Sequence, residues 1–425
     1  MFGGVPLKAR FVATVLLFCL SFSMALAQEP PPSLVFSFWG NSVIMEKTLE
    51  GLEKFAIASQ RTGRSAASHS FESREAYMDW LFHASDTEKL GDVIELDAAM
   101  FQALTMLPSE SFPLISVEDF PKQLLLNRFS YEGLSACLHQ NQVMAVPVSL
   151  TSHMFFWNVP ALKALQVQAP ATTEELLTLT QSLSENEAVY PLAANAESRI
   201  ALLITLLQSR YGKPWVDEKN CAPNFTVAQA AEGFAYLRSL ETAKAWPSLS
   251  AQKNPEEGFA KGEYLGIWGW DADVIAGLQS VSVEAKQTSF LTHFSDWGDY
   301  AGGFQQPLRM FAIPKSAQEP TQSAGLIEFL LNSRSGAQAL GDSRGMPLSR
   351  EGLSALRLGR LLDSFRASAN KSALSWARYP LPLGFFDKSL VGSGGVYEKV
   401  LLALPDLSDE VAAEMLLLGF SVALE

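Results

Sequence analysis

Ser33-Leu-Val-Phe-Ser-Phe-Trp39 is a short apolar run that stops at Gly40-Asn41, and its length and flanking residues predict a buried strand ending in a turn. Downstream, Ile44, Leu49, Leu52, Phe55 and Ala56 recur at helical spacing within Val43 to Ala58. Leu90-Gly-Asp-Val-Ile-Glu-Leu-Asp97 is a second short apolar strand. Strand, helix, strand is the signature of an α/β domain.

On the N-terminal side, Lys8 and Arg10 precede an uncharged apolar run, Phe11 to Met24, that ends at Ala25-Leu26-Ala27. The run is too short to span a bilayer, and small residues at the minus-three and minus-one positions predict a secretory signal peptide cleaved after Ala27. Cys19 follows bulky Phe18, so a freely soluble product starting at Gln28 is expected and not a lipid-anchored one. Loss of Lys8 and Arg10 takes the formal charge from −13 to −15. Such an acidic chain is a poor partner for nucleic acid or anionic lipid. Of the three cysteines only Cys137 and Cys221 remain, as one disulfide or as two separate thiols.

On the C-terminal side, Gln142–Val148 and Met154–Trp157 read as two further strands separated by the polar stretch Ser149-Leu-Thr-Ser152. Thr172 with Glu175, and Thr226 with Gln229, open helices. Thr321–Leu331, Gly352–Phe365 and Ser408–Phe420 continue a helix-rich second half. The length of 425 residues suggests two domains or three. The five histidines are scattered, with neither His-x-x-x-His nor Cys-x-x-Cys, so no metal site is expected. A phosphate-binding loop is also missing, and neither cofactor nor catalytic residue is expected.

Tryptophans instead fall at strand ends among small polar residues: Phe38-Trp39-Gly40-Asn41, Trp268-Gly269-Trp270-Asp271-Ala272-Asp273, and Trp297-Gly298-Asp299-Tyr300 ahead of Gly302-Gly303. Flat aromatic faces beside carboxylate and amide oxygens suit sugar rings, and strand ends of open α/β sheets are where ligands bind. Alternation places Trp268 and Trp270 on one face and Asp271 on the other unless the strand has already turned.

At these segments the chain resembles the bacterial extracellular solute-binding proteins of ABC importers, in the carbohydrate branch of the maltose-type receptors. The resemblance runs, in order, through Val35–Asn41, Gly91–Asp97, Val143–Val148, Phe156-Trp-Asn158 with Leu162, Pro170–Leu176, Phe259–Gly266, Ala312–Ser316, Glu328-Phe-Leu330 and Gly345-Met-Pro347. Trp157-Asn158 stands where the family has Tyr-Asn, and Gln166 where it has Gly. The resemblance implies an α/β, two-lobed periplasmic-binding-protein fold, each lobe a sheet flanked by helices, with ligand held between the lobes by hinge closure. The first lobe is allotted 33–146 plus 290–318 and the second 149–287 plus 320–425. It further implies a monomeric periplasmic sugar or oligosaccharide receptor that delivers to an importer's membrane permease. The alternatives are a periplasmic sensor feeding a membrane signalling receptor, and a secreted carbohydrate-active enzyme. Candidate ligand-binding residues are Trp39, Asn41, Asp97, Ser149, Thr151, Trp268, Trp270, Asp271, Trp297, Gly302 and Arg344.

Overall fold

The computed structural model describes residues 34–425 apart from 61–62, 84–89, 184–188, 253, 281–287 and 360–363. The signal-peptide and cleavage expectations therefore lie outside the described residues. The strands of the main sheet are β1 (Leu34–Trp39), β2 (Ala66–Phe71), β3 (Val93–Leu96), β4 (Ala145–Asn158), β5 (Tyr190–Ala193), β6 (Tyr264–Trp270), β7 (Thr288–Leu291), β8 (Gly303–Ala312) and β9 (Ala377–Pro380). They join in the order β2-β1-β3-β8-β4-β6-β5, with β7 on β4 and β9 on β8. The β1–β2 and β1–β3 pairs are parallel, as the strand-helix-strand reading requires.

Helix α1 (Ser42–Ala58) follows β1 at once, with Asn41 Oδ1 accepting the Ile44 N–H at 3.0 Å. Asp92 ties this end of the sheet together, one oxygen accepting from Val35 N and the other from Gln318 N, both at 2.9 Å. Gly91 ahead of it has φ +93°, and a Cβ there would lie 2.9 Å from the Val35 carbonyl. Only glycine makes that turn without strain.

β4 corrects the expectation of two strands around Ser149–Ser152. It is one strand of 14 residues, 13 of them buried, because each hydroxyl finds a distant partner. Ser149 Oγ donates to the Arg344 carbonyl, Thr151 Oγ1 to Asp271 Oδ1 at 2.6 Å and Ser152 Oγ to the Phe304 carbonyl at 2.8 Å. Satisfied hydroxyls do not interrupt a buried strand.

Two main cores flank β4 and β8. One gathers Phe36, Phe38, Val93, Val146 and Met310–Ile313; the other gathers Phe155, Trp157, Ile200–Ile204, Trp268 and Phe304. Each long strand thus begins in one core and ends in the other. The allotment of 290–318 and 320–425 does not match this packing. Phe294 and Trp297 lie in the second core, whereas Ala324, Leu326, Ile327, Leu330 and Leu340, on α7 (Pro320–Asn332) and α8 (Arg334–Leu340), lie in the first. The reason is connectivity: β8 delivers the chain into the first core, and α7 and α8 cover that core before the chain returns. The helix expected over 352–365 is instead two, Arg350–Leu358 and α9 (Ser364–Trp376). Cys137 is buried and Cys221 exposed, and both are free.

Candidate functional site

The crossing strands are irregular where the cores meet. Pro307 pairs with Leu150 and Arg309 with Ser149, leaving Leu308 as an extra residue; Met310 then pairs with Pro147, skipping Val148. Such bulges bend a strand and break the alternation of its side chains, so Leu308 and Arg309 both reach the same cleft. This cleft has two adjoining compartments that share Asp273, Ala276, Leu308 and Arg309. The larger, about 720 Å³, lies between Trp39, Arg74 and Asp97 on the first-core side and Asn195, Glu197 and Trp270 on the second. The smaller, about 380 Å³, lies between Asn41, Arg344 and Gly345 on one side and Asp271, Arg366 and Asn370 on the other. Both volumes suit a small-molecule ligand.

The first wall is built on β1, β3 and two short helices. Trp39 ends β1, and the Arg309 guanidinium carbon lies 3.7 Å from its ring centre. Arg309 Nη1 is 3.2 Å from Glu95 Oε1, while Arg344 Nε donates to Glu95 Oε2 at 2.9 Å and its Nη2 to Thr48 Oγ1 at 2.7 Å. Burial pulls the Arg309 pKa below its usual value, only partly offset by Glu95. Asp97 caps α3 (Ala98–Thr105) by accepting from Met100 N at 2.8 Å. It also accepts from Nε of Arg74, the first residue of α2 (Arg74–His83), at 2.5 Å.

The second wall is built where β6 ends at Trp270 and α6 (Asp271–Ser280) begins without a linker. Trp270 Nε1 donates to Glu197 Oε1 at 3.0 Å, and its ring lies 3.8 Å from that of His153. Glu197 sits in the first turn of α4 (Ala196–Tyr211), whose N-cap is Asn195. Burial raises its pKa to about 7, the Trp270 bond opposes that, and the Asp273 and Glu256 charges add to it. Burial and the Glu256 and Asp271 charges bring Asp273 to about 6, and burial raises Glu256 as well. Glu197 is thereby poised to give or accept a hydrogen bond near neutral pH.

No protein-family model matches the chain, and no curated protein matches it. Solved structures do. The chain is similar to a periplasmic solute binding protein from Pectobacterium atrosepticum, at 20% identity over 92% of this chain and 98% of that one, with a TM-score of 0.80. It is similar to a periplasmic oligogalacturonide binding protein from Yersinia enterocolitica, at 22% identity over 93% of this chain and 100% of that one, with a TM-score of 0.78. A de novo designed cysteine esterase aligns at 21% identity over 93% of this chain and 99% of that one, with a TM-score of 0.80. The chain has the two-lobed fold of the periplasmic solute-binding proteins. Since that fold also carries a designed esterase, activity has to be argued from the cleft.

Within this binding-protein fold the candidate residues separate into three groups. Trp39, Asp97 and Trp270 line the larger compartment, and Asn41, Asp271 and Arg344 the smaller. Ser149 and Thr151 stand behind the walls, holding the Arg344 carbonyl and the Asp271 carboxylate. Asp271 also accepts from Ser152 N at 2.9 Å and Asn370 Nδ2 at 3.0 Å, so most of its acceptor capacity is used within the protein. Trp268, Trp297 and Gly302 are not brought to the cleft. Trp268 and Trp297 pack in the second core, 5.6 Å apart by ring centres and each against Phe155. Gly302 lets the backbone pass Ser209 closely, where a Cβ would lie 2.2 Å from Ser209 N, and its carbonyl accepts from Gln208 Nε2 at 2.7 Å. Sequence reasoning missed Arg74, Arg309, Glu197 and Glu256. Asp273 stood in the quoted Trp268–Asp273 run and was not chosen.

Proposed function

We propose that the chain is an exported carbohydrate receptor that captures a sugar between its two lobes by hinge closure and delivers it to the membrane permease of an ABC importer. One observation carries this reading: Trp39 and Trp270, each the last residue of a strand, face one cleft from opposite lobes, with carboxyl, amide and guanidinium groups between them. Aromatic faces take the C–H surface of a sugar ring and the polar groups its hydroxyls. Closure excludes water and strengthens each polar contact. The oligogalacturonide receptor of Yersinia enterocolitica, spanned along its whole length, supports a sugar ligand. Export follows from the Lys8–Ala27 leader, and among the described residues no helix is long and apolar enough to cross a membrane. The protein acts as a monomer and leaves its ligand chemically unchanged.

A melting-temperature screen against mono- and oligosaccharides tests this reading. A sugar at about 100 times its dissociation constant raises stability by about 2.7 kcal/mol, and chromatography returns it intact. A panel with no shift defeats the receptor reading, and turnover of the bound sugar replaces it with an enzyme.

A further inference from the structure

We infer that the saccharide taken by this cleft carries a carboxylate, received on the first-lobe wall by Arg309 and Arg74 beside Trp39; this rests on the reading of the cleft as a sugar site. The first observation is a charge count. Three guanidiniums on this wall, Arg74, Arg309 and Arg344, form ion pairs with two carboxylates, Asp97 and Glu95, so that Arg309 and Arg344 share Glu95; the Glu75 charge also acts on Arg74.

The second is how the donors are used. Arg344 places Nε on Glu95 and Nη2 on Thr48, and Arg74 places Nε on Asp97. Arg309 makes no aligned hydrogen bond among the described residues, although its side chain is only 15% exposed and Nη1 is fully shielded. Its contact with Glu95 is one of charge. The shielded Nη1 faces Glu95, which leaves the Nε–Nη2 edge of the planar fork to match a carboxylate bidentately. The Trp39 ring fixes the fork's plane from behind. The terminal nitrogens of Arg74 likewise have no partner among the described residues, and this residue opens α2, where the helix dipole disfavours a cation. The Asp97 ion pair uses only its Nε, which leaves the terminal nitrogens for a ligand at the cavity.

The opposite wall is compatible with an acidic ligand. Glu197 and Asp273 stand in the first turns of α4 and α6, where the helix dipoles offset their charge. With a pKa of about 7, Glu197 is also partly protonated near neutral pH and able to donate to a ligand oxygen. An amine-bearing sugar would pair with this wall but leave Arg309 without an acceptor.

Isothermal titration of the full mature protein with disaccharides containing galacturonate, glucuronate or mannuronate, with their carboxyl-reduced counterparts, and with a glucosamine disaccharide tests the inference. At least one uronate should bind about tenfold or more tighter than its reduced form. Arg309→Gln should remove that preference, weakening the uronate about tenfold or more beyond any loss for the reduced sugar. Arg74→Gln, at a partly exposed position, should reduce it in a protein with unaltered melting behaviour, even if Arg309→Gln folds poorly. Equal or tighter binding of the reduced form or of the amine overturns the acidic ligand and leaves a sugar receptor. A uronate preference that survives both substitutions overturns the assignment to Arg309 and Arg74. Binding of no saccharide of any class overturns the receptor reading, and this inference with it.

Discussion

The indole N–H of Trp270 donates to Glu197 Oε1 at 3.0 Å, so that the end of one strand and the start of a helix 73 residues earlier share a wall of the cleft. The bond favours the charged carboxylate, yet burial and the Asp273 and Glu256 charges outweigh it and bring Glu197 to about 7. In the unfolded chain a glutamate titrates near 4.3. The folded protein therefore holds a proton that the unfolded chain releases, and the associated stability is lost as pH rises from about 4.3 through 7. The melting temperature of the parent relative to Glu197→Gln should fall across that window. The difference between the two is the readout because buried His153, brought down to about 3, acts in the opposite sense below 6.5. Identical pH profiles for parent and variant would remove Glu197 as the titrating group.

Substitution of the tryptophans should separate wall from core. Trp39→Ala and Trp270→Ala should each weaken sugar binding by about 1–3 kcal/mol. Trp268→Ala should cost about 3–5 kcal/mol of stability through a cavity beside Phe155 and Trp297, with little change in the affinity of the folded fraction. Urea unfolding and titration on each variant decide between the two behaviours. Normal affinity in both wall variants would remove their rings from the binding site.

The pattern behind these expectations was legible in the sequence where structure is local. β1, α1 and β3 follow from apolar runs and helical spacing, and Thr226 with Gln229 forms the reciprocal cap that their spacing suggests. What was not legible depends on distant partners. Ser149, Thr151 and Ser152 read as a break because their acceptors lie 195, 120 and 152 residues away. Arg309 carries no local signal, since its place in the cleft comes from a bulge in strand pairing. Trp268 and Trp270 share a composition and a strand, and only the cover supplied by Phe155 and Trp297 separates a core ring from a cleft ring.

Hinge motion should centre on the irregular pairing of Leu308–Arg309 with Val148–Ser149, where the strands linking the lobes lose regular register. Small-angle scattering at saturating sugar should give a smaller radius of gyration than the free protein. An unchanged radius, with binding shown by titration, would mean that the sugar enters a cleft already closed.

The start of α4, which carries Asn195 and Glu197 into the cleft, is anchored from behind by Arg199. Its side chain is 1% exposed; Nε donates to the Ala194 carbonyl at 2.9 Å, Nη2 to the Pro247 carbonyl at 2.8 Å and Nη1 to Glu241 at 2.5 Å, with the guanidinium carbon 4.4 Å from the Trp246 ring centre. Burial lowers its pKa to about 10, which still leaves it charged at neutral pH. Arg199→Ala would strand two buried carbonyls and Glu241 together, and removal of one partner from a buried ion pair costs about 3–5 kcal/mol. Arg199→Lys should recover little of that, since one ammonium on a flexible stem does not reproduce a planar fork reaching three acceptors. Urea midpoints measure the loss. If Arg199→Lys is as stable as the parent, charge alone holds this helix start in place and the fork geometry does not.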